Sequence, residues 1–390
     1  MAKKRSKFRA SFRKNHDSSA RGRADSRSLE GLSEDSAERL TGQERLSGKG
    51  HLSRRRTVAD AAIVEDAAGE MILPEVDRTV CRQGVVLRTQ GLISVVLDDA
   101  GAEFACATRQ LLKQLATDLR HVVAAGDRVW FRPSEVSGGG AQEGMIERIE
   151  PRHGVLSRTS RGRQQLIASN VDQIVIVASA AEPRLKPNLI DRYLITAEKA
   201  GLRPIVCVNK IDLIDPTDLV PLVGVYAQLG YRVLPVSAER GRGLEQLRAV
   251  LAGKQTAFTG QSGVGKSSLL NAVDPGLRLR VQTVSAESEK GRHTTTTAEL
   301  YPMRWHADDS DASVDGFLVD TPGIRSFELW DVIPQEVAGY MPELRPYVSA
   351  CRFPDCTHTH ETFCAVKDAV ADGWIDTRRY ESYTQIQSGE

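Results

Sequence analysis

Residues 259–268 read T-G-Q-S-G-V-G-K-S-S, which contains G-x-x-x-x-G-K-S over Gly260, Gln261, Ser262, Gly263, Val264, Gly265, Lys266 and Ser267. Glycines at this spacing let successive backbone N–H groups turn toward one centre, and a helix starting there adds the partial positive charge of its N-terminus. That arrangement holds phosphate. Lys266 would reach the β- and γ-phosphate oxygens, making it a catalytic as well as a binding residue, and the Ser267 hydroxyl, followed by Ser268, would ligate magnesium. The stretch 255–258 before the loop reads as a short buried strand and 268–273 after it as a helix, the context that the motif requires.

A phosphate loop does not tell adenine from guanine, so the base readers must lie elsewhere. Residues 204–212 form an apolar strand running into Asn209, Lys210, Ile211 and Asp212, an N-K-x-D sequence. The carboxylate of Asp212 can accept both hydrogens on the N1 and N2 edge of guanine, and adenine offers no such pair. Asn209 would bond the other edge of the base and tie the loop to its neighbours, while the stem of Lys210 covers the ring face. Downstream, V-S-A at 236–238 follows another apolar run, placing Ser237 and the N–H of Ala238 where a donor would meet guanine O6. Guanine is the expected base, and an ATPase is disfavoured by Asp212.

The remaining nucleotide parts follow the phosphate loop. Residues 315–323 are an apolar strand ending in D-T-P-G, which would set Asp320 near magnesium through water and the N–H of Gly323 on the γ-phosphate. Between them G-R-H-T-T-T-T at 291–297 supplies hydroxyls for a switch loop, with Thr295 or Thr296 expected as the magnesium ligand. After D-T-P-G stands Ile324, which has no group to orient an attacking water. His293 is the nearest candidate for that role, and a structural or partner-contact role suits it equally. Slow intrinsic turnover, raised by a partner that orders the switches, is the expectation.

A second constellation stands near the C-terminus. Cys351, Cys356, His358 and Cys364, in C-x4-C-x-H-x5-C spacing, offer three thiolates and an imidazole, with His360 a spare for His358. Zinc takes four such ligands in a tetrahedron, and a closed set of protein ligands implies one structural ion rather than a catalytic one.

These residues need elements to carry them. The base readers precede the phosphate loop, whereas an ordinary Ras-like GTPase has them last, so the chain reads as circularly permuted. Permutation is tolerated where the original termini lay close together at the surface. Expected strands at 173–178, 205–208, 233–236, 257–258 and 317–319 alternate with helices at 189–200 and 244–252, giving an α/β parallel sheet covered on both faces. Upstream, short strands at 84–87, 91–97, 103–107, 126–131 and 144–149, with a helical stretch at 111–119, suggest an N-terminal β-barrel of the OB-fold type, which suits RNA. Residues 1–77 lack apolar periodicity and read as a disordered basic tail, with nine Lys or Arg against Asp17 alone up to Arg23, a composition suited to polyanions. The expected division is therefore 1–77 tail, 78–152 OB-fold, 153–330 permuted GTPase and 331–390 a small helical zinc-binding domain.

The chain as a whole is nearly balanced, with 52 Lys and Arg against 51 Asp and Glu in 390 residues. Six cysteines with three of them clustered late make no disulfide framework and suit a reducing compartment. No apolar run follows the basic start, and none elsewhere is long enough to span a bilayer. A cytoplasmic protein with no membrane partner, working as a monomer, is expected.

With N-K-I-D, V-S-A, G-Q-S-G-V-G-K-S-S, G-R-H-T-T-T, D-T-P-G and C-x4-C-x-H-x5-C in this order, the chain from about Arg78 onward resembles the RsgA (YjeQ) family of circularly permuted GTPases. The resemblance implies OB and zinc-binding domains flanking the GTPase, and hydrolysis of GTP to GDP and phosphate stimulated by the small (30S) ribosomal subunit and its rRNA. It also implies a role late in subunit maturation, with hydrolysis timing release, and it favours His358 over His360 as the zinc ligand. One departure is local. E-T-F at 361–363 stands where the family usually shows a Pro-Gly turn before the last cysteine. A GTP-dependent RNA-binding scaffold in which hydrolysis is incidental, and a signalling GTPase acting on a protein, are the competing readings.

Overall fold

The computed structural model describes residues 7–11, 55–59, 61–66, 69–110, 112, 122–134, 142–160, 163–279, 298–305, 314–320 and 333–389. His293, Thr295, Thr296, Gly323 and Ile324 lie outside the described residues, as does most of the helical stretch expected at 111–119. The described chain divides into two compact units, one holding residues up to Asn170 with 298–300, the other holding 171–279, 301–305, 314–320 and 333–389.

In the first unit, strands Arg82–Gln90, Ile93–Asp98, Glu103–Thr108, Arg128–Pro133 and Gln142–Ile149 run within a few residues of their expected places. They pair in a closed circuit. The first pairs antiparallel with the second and the second with the third, the third lies parallel to the fifth, and the fourth joins the fifth back to the first. Closure leaves no free sheet edge. Alternate side chains point inward, and Val86, Val96, Phe104, Cys106, Val129, Phe131 and Ile146 fill the interior, with the rings of Phe104 and Phe131 4.9 Å apart. Strands Leu156–Ser160 and Arg163–Ala168 follow as a hairpin of the same unit. Within 1–77, Lys7–Ser11 pairs with Arg55–Ala59, and Ala61–Asp66 with Gly69–Pro74. The second ribbon is built from A-A-I-V and M-I-L, a local apolar run inside a polar segment.

The second unit is organised around five parallel strands in the spatial order Arg232–Pro235, Arg203–Asn209, Gln173–Ser179, Gln255–Thr259, Gly316–Asp320. Strand Gln173–Ser179 is buried throughout, and its side chains alternate between two cores. Val175 and Val177 meet helices Leu244–Leu251 and Lys266–Val273 on one face, while Ile176 and Ala178 meet Pro187–Lys199 and Val220–Gln228 on the other. Cys207 faces the first of these cores as an ordinary apolar side chain. Successive strands move outward to one side of Gln173–Ser179, then Gln255–Thr259 starts afresh on its other side. That reversal is the switch point at whose carboxyl edge open α/β sheets bind ligands.

The C-terminal segment packs in the same unit through helices Ala365–Ala371 and Thr377–Ser388. The last helix starts on an Asp376 side chain that accepts from the N–H of Arg379 and ends on Gly389 in the left-handed conformation, a sequence-encoded start and stop. Its Arg379, fully buried, donates to Asp191 of helix Pro187–Lys199 at 2.6 Å and to Glu343 at 2.5 Å. Arg378, Ser382 and the Tyr226 hydroxyl complete the shell of Asp191.

Candidate functional site

The phosphate loop joins strand Gln255–Thr259 to helix Lys266–Val273 at the switch-point edge. Two of its glycines are required there. Gly260 has φ +144°, and a Cβ on it would lie 2.1 Å from the Val177 carbonyl oxygen; Gly265 has φ +89°, and a Cβ on it would lie 2.5 Å from Asn209 Nδ2. The Lys266 ammonium curls back over the loop and donates to the carbonyls of Gly260 at 2.6 Å and Gln261 at 2.9 Å. Val264 is buried beneath the loop, and Ser267 and Ser268 occupy the first turn of the helix.

Asn209 brackets the loops. At the end of its strand and 1% exposed, it donates from Nδ2 to the Val264 carbonyl at 3.0 Å and accepts at Oδ1 from the N–H of Ala238 at 3.2 Å. One buried amide thus joins the phosphate loop to the V-S-A loop across the sheet edge. Lys210 sits in the left-handed region at φ +63°, with its ammonium bonded to the Glu182 carbonyl. Asp212 lies in a single 3-10 turn, Ile211–Leu213. The buried Ser237 hydroxyl donates to its carboxylate and in turn accepts from the N–H of Arg240 at 3.0 Å. This hydrogen bond, foremost, holds the Asp212 carboxyl below the usual carboxylate range, so it is ionised and acceptor-only at neutral pH. Asp320 ends the strand beside Gln255–Thr259, exposed at the same edge.

The structure thus brings Asn209, Lys210, Asp212, Ser237, Ala238, Asp320 and the loop 260–268 to the carboxyl ends of adjacent parallel strands. Sequence reasoning missed one neighbour. A shallow open recess lies against Gln261 and Val264, walled by residues 176–179 and by Arg184, Lys186, Ile190 and Tyr193. It flanks the phosphate loop rather than holding Lys266 or Asp212. No motif marks its wall.

In the C-terminal segment Cys351, Cys356, His358 and Cys364 converge, with one ligand atom from each within 4.8 Å of the others. The Sγ atoms of Cys351 and Cys364 are 3.8 Å apart, and His358 Nδ1 lies 3.4 Å from the first and 3.5 Å from the second. A tetrahedral zinc with bonds of about 2.3 Å to sulfur and about 2.0–2.1 Å to nitrogen has edges of about 3.8 Å between sulfurs and about 3.6 Å between sulfur and nitrogen. The cluster can hold a metal ion, and the three separations among Cys351, His358 and Cys364 match the edges of a zinc tetrahedron. Burial keeps His358 below its usual range, hence a neutral ligand, and pushes the Cys356 thiol up to about 12, so ionised thiolates here call for a cation beside them. His360, its side chain 81% exposed, points away from this set. The last helix supports the ligand loop from behind, as Tyr380 donates to the His358 carbonyl and Tyr383 to the Thr357 carbonyl, both at 2.7 Å.

A doubly covered parallel sheet with its phosphate loop at the switch point and N-K-x-D earlier in the chain defines a circularly permuted GTPase. Comparison with known proteins gives the same class. A family model described as RsgA GTPase matches residues 149–330. The small ribosomal subunit biogenesis GTPase RsgA of Sodalis glossinidius is 41% identical over 311 residues, 78% of this chain and 85% of the relative. Among solved structures, YjeQ from Thermotoga maritima superposes with a TM-score of 0.62 at 34% identity, covering 79% of this chain and 98% of that one. YloQ, a circularly permuted GTPase, superposes at 0.60 with 26% identity, covering 81% and 97%. The chain belongs to the RsgA family of GTPases. Among the described residues no helix is long and apolar enough to cross a membrane.

Proposed function

We propose that this GTPase binds the small (30S) ribosomal subunit during its late maturation, and that hydrolysis of GTP to GDP and phosphate, stimulated by the subunit, times its release. The observation that supports this most is the single carboxyl edge that carries the phosphate loop and both base-side loops, in a chain 41% identical to a relative named for small-subunit biogenesis. In this reading Asp212 accepts from the guanine edge, and Asn209, Lys210, Ser237 and Ala238 shape the base pocket. The N–H groups of residues 260–268 and the Lys266 ammonium neutralise the phosphates, with Asp320 and Gly323 on the γ-phosphate side. Magnesium supplies charge neutralisation when bound, and Ser267 with Thr295 or Thr296 would hold it. His293 or a group supplied by the subunit orients the attacking water. The proposed division is a barrel at 78–152 and a basic tail at 1–77 for rRNA contact, the GTPase at 153–330, and at 331–390 a segment stapled by one zinc on Cys351, Cys356, His358 and Cys364. The protein works as a monomer in the cytoplasm.

Co-sedimentation of the full chain with isolated small subunits tests the release step. Retention with a non-hydrolysable GTP analogue and loss with GDP is the expected pattern; equal retention in both states would overturn it and leave the scaffold reading.

A further inference from the structure

The metal-binding segment displays two aromatic rings to solvent. Phe353 is 42% exposed and Phe363 69% exposed. Both hang on the cluster, since Arg352 and Phe353 directly follow Cys351 and Phe363 directly precedes Cys364. The Arg352 guanidinium lies 5.0 Å from the centroid of Phe363 and 5.9 Å from that of Phe353, and its backbone N–H donates to the Phe363 carbonyl at 3.4 Å. Three side chains distant by up to eleven positions are thereby gathered on one exposed knuckle.

Phe363 holds φ +58°, a left-handed backbone that disfavours any residue with a Cβ and that glycine adopts freely. Residues kept in such conformations cluster at functional sites. Arg352 shows the same pattern from the side of charge. Among the described residues its side chain has no ion pair and no hydrogen bond, so the guanidinium donors are unspent while its flat face rests by the rings. A partner that satisfies all three groups must be planar and must carry negative charge beside its plane. An unpaired nucleotide has both, with a base to stack on the rings and a phosphate for the guanidinium. An acidic peptide would engage the guanidinium and leave the rings wet.

We propose that Arg352, Phe353 and Phe363 form a stacking platform for an unpaired base of single-stranded RNA. The proposal rests on the reading that this protein works on an RNA-containing particle, and it adds where and how a base is held.

The test uses the full, zinc-loaded chain and two labelled probes of equal length, a short oligouridine and its abasic counterpart, at salt high enough to screen the basic N-terminal residues. The wild type should bind oligouridine more tightly than the abasic strand. Phe363→Gly should weaken oligouridine binding about tenfold, the size of one base stack, while leaving the Tm equal to or above that of the wild type, because glycine relaxes the backbone there. Phe353→Ala should weaken it similarly, and Arg352→Lys, which keeps charge but not the planar face, should retain only part of the affinity. Equal wild-type affinity for both probes, or unchanged affinity in Phe363→Gly and Phe353→Ala, would overturn the platform. Preference for a polyglutamate peptide over oligouridine would also overturn it, in favour of a protein ligand. Failure of small subunits to stimulate wild-type GTP turnover would instead strike the ribosome reading, and is measured separately.

Discussion

At the nucleotide edge the groups that would meet phosphate are mostly backbone N–H donors, carried on loops between strands and helices that enter from distant parts of the chain. In the metal cluster all four contacting atoms are side-chain atoms drawn from residues 351–364. The difference shows how each site tolerates rearrangement. A loop site depends on which strands are neighbours in space, so moving the chain termini leaves it intact, and Asn209 can bond Val264 across 55 positions regardless of which comes first. A side-chain cluster depends on local spacing, and although Cys364 belongs to a buried apolar core with Cys351 and Cys356 packed against it, that core does not by itself draw three thiols and an imidazole together. The prediction is that the two sites fail separately, the cluster by losing structure and the nucleotide edge by losing chemistry.

Cys356→Ser should have the largest effect of all on structure. It removes one of four ligands, so zinc content of the purified protein should fall from near one per chain toward none and the Tm should drop, while GTP remains bound. Unchanged metal content and Tm would show that the cluster is not a staple. Lys266→Ala is the converse. Steady-state GTP turnover should fall by about 10²–10³-fold, the usual loss when one preorganised donor to the developing charge is removed, with Tm and zinc content unmoved. A fall in both would mean that the two sites are not separable. Asp212→Asn is the smallest change, since an amide still fits between Ser237 and solvent. Guanine preference should weaken by about tenfold to a hundredfold, the scale of one hydrogen bond to a charged group, and nucleotide competition assays read it directly. The wild-type carboxyl is depressed, so its acceptor form is complete at neutral pH and is lost only as pH falls through a value below 3.8. The preference for GTP over ATP, in which the phosphate titration common to both cancels, should therefore stay level from neutral down to about pH 5, and a decline of that preference within the range would contradict an Asp212 carboxyl held below its ordinary value.

Much of this arrangement was legible because its residues are constrained by chemistry at short range. The phosphate loop, N-K-x-D and V-S-A each announce a strand end, and glycine turns bound the barrel strands. The cluster was legible as a ligand set, but spacing left His358 and His360 open; family resemblance favoured His358, and the structure turns only that ring inward. What stayed hidden pairs residues far apart. Arg379 reaches Asp191 across 188 positions, and neither residue lies in a pattern that marks it as buried. A buried charge pair of this kind costs desolvation that its attraction barely offsets, yet removing one member is expensive. It fixes how the last helix sits on Pro187–Lys199. Asn209 was expected both to contact the base and to tie its loop to its neighbours; which backbone groups it ties, the Val264 carbonyl and the Ala238 N–H, sequence does not display. The recess beside Gln261 arises from the loop after strand Gln173–Ser179, whose residues follow no motif.

The most direct test of the account is GTP turnover by the purified chain, alone and with increasing small ribosomal subunits, beside an equal series of large subunits. The account predicts slow turnover alone and stimulation by the small subunit only. Equal rates in every series, with GTP still tightly bound, would contradict it and leave a nucleotide-dependent binding switch.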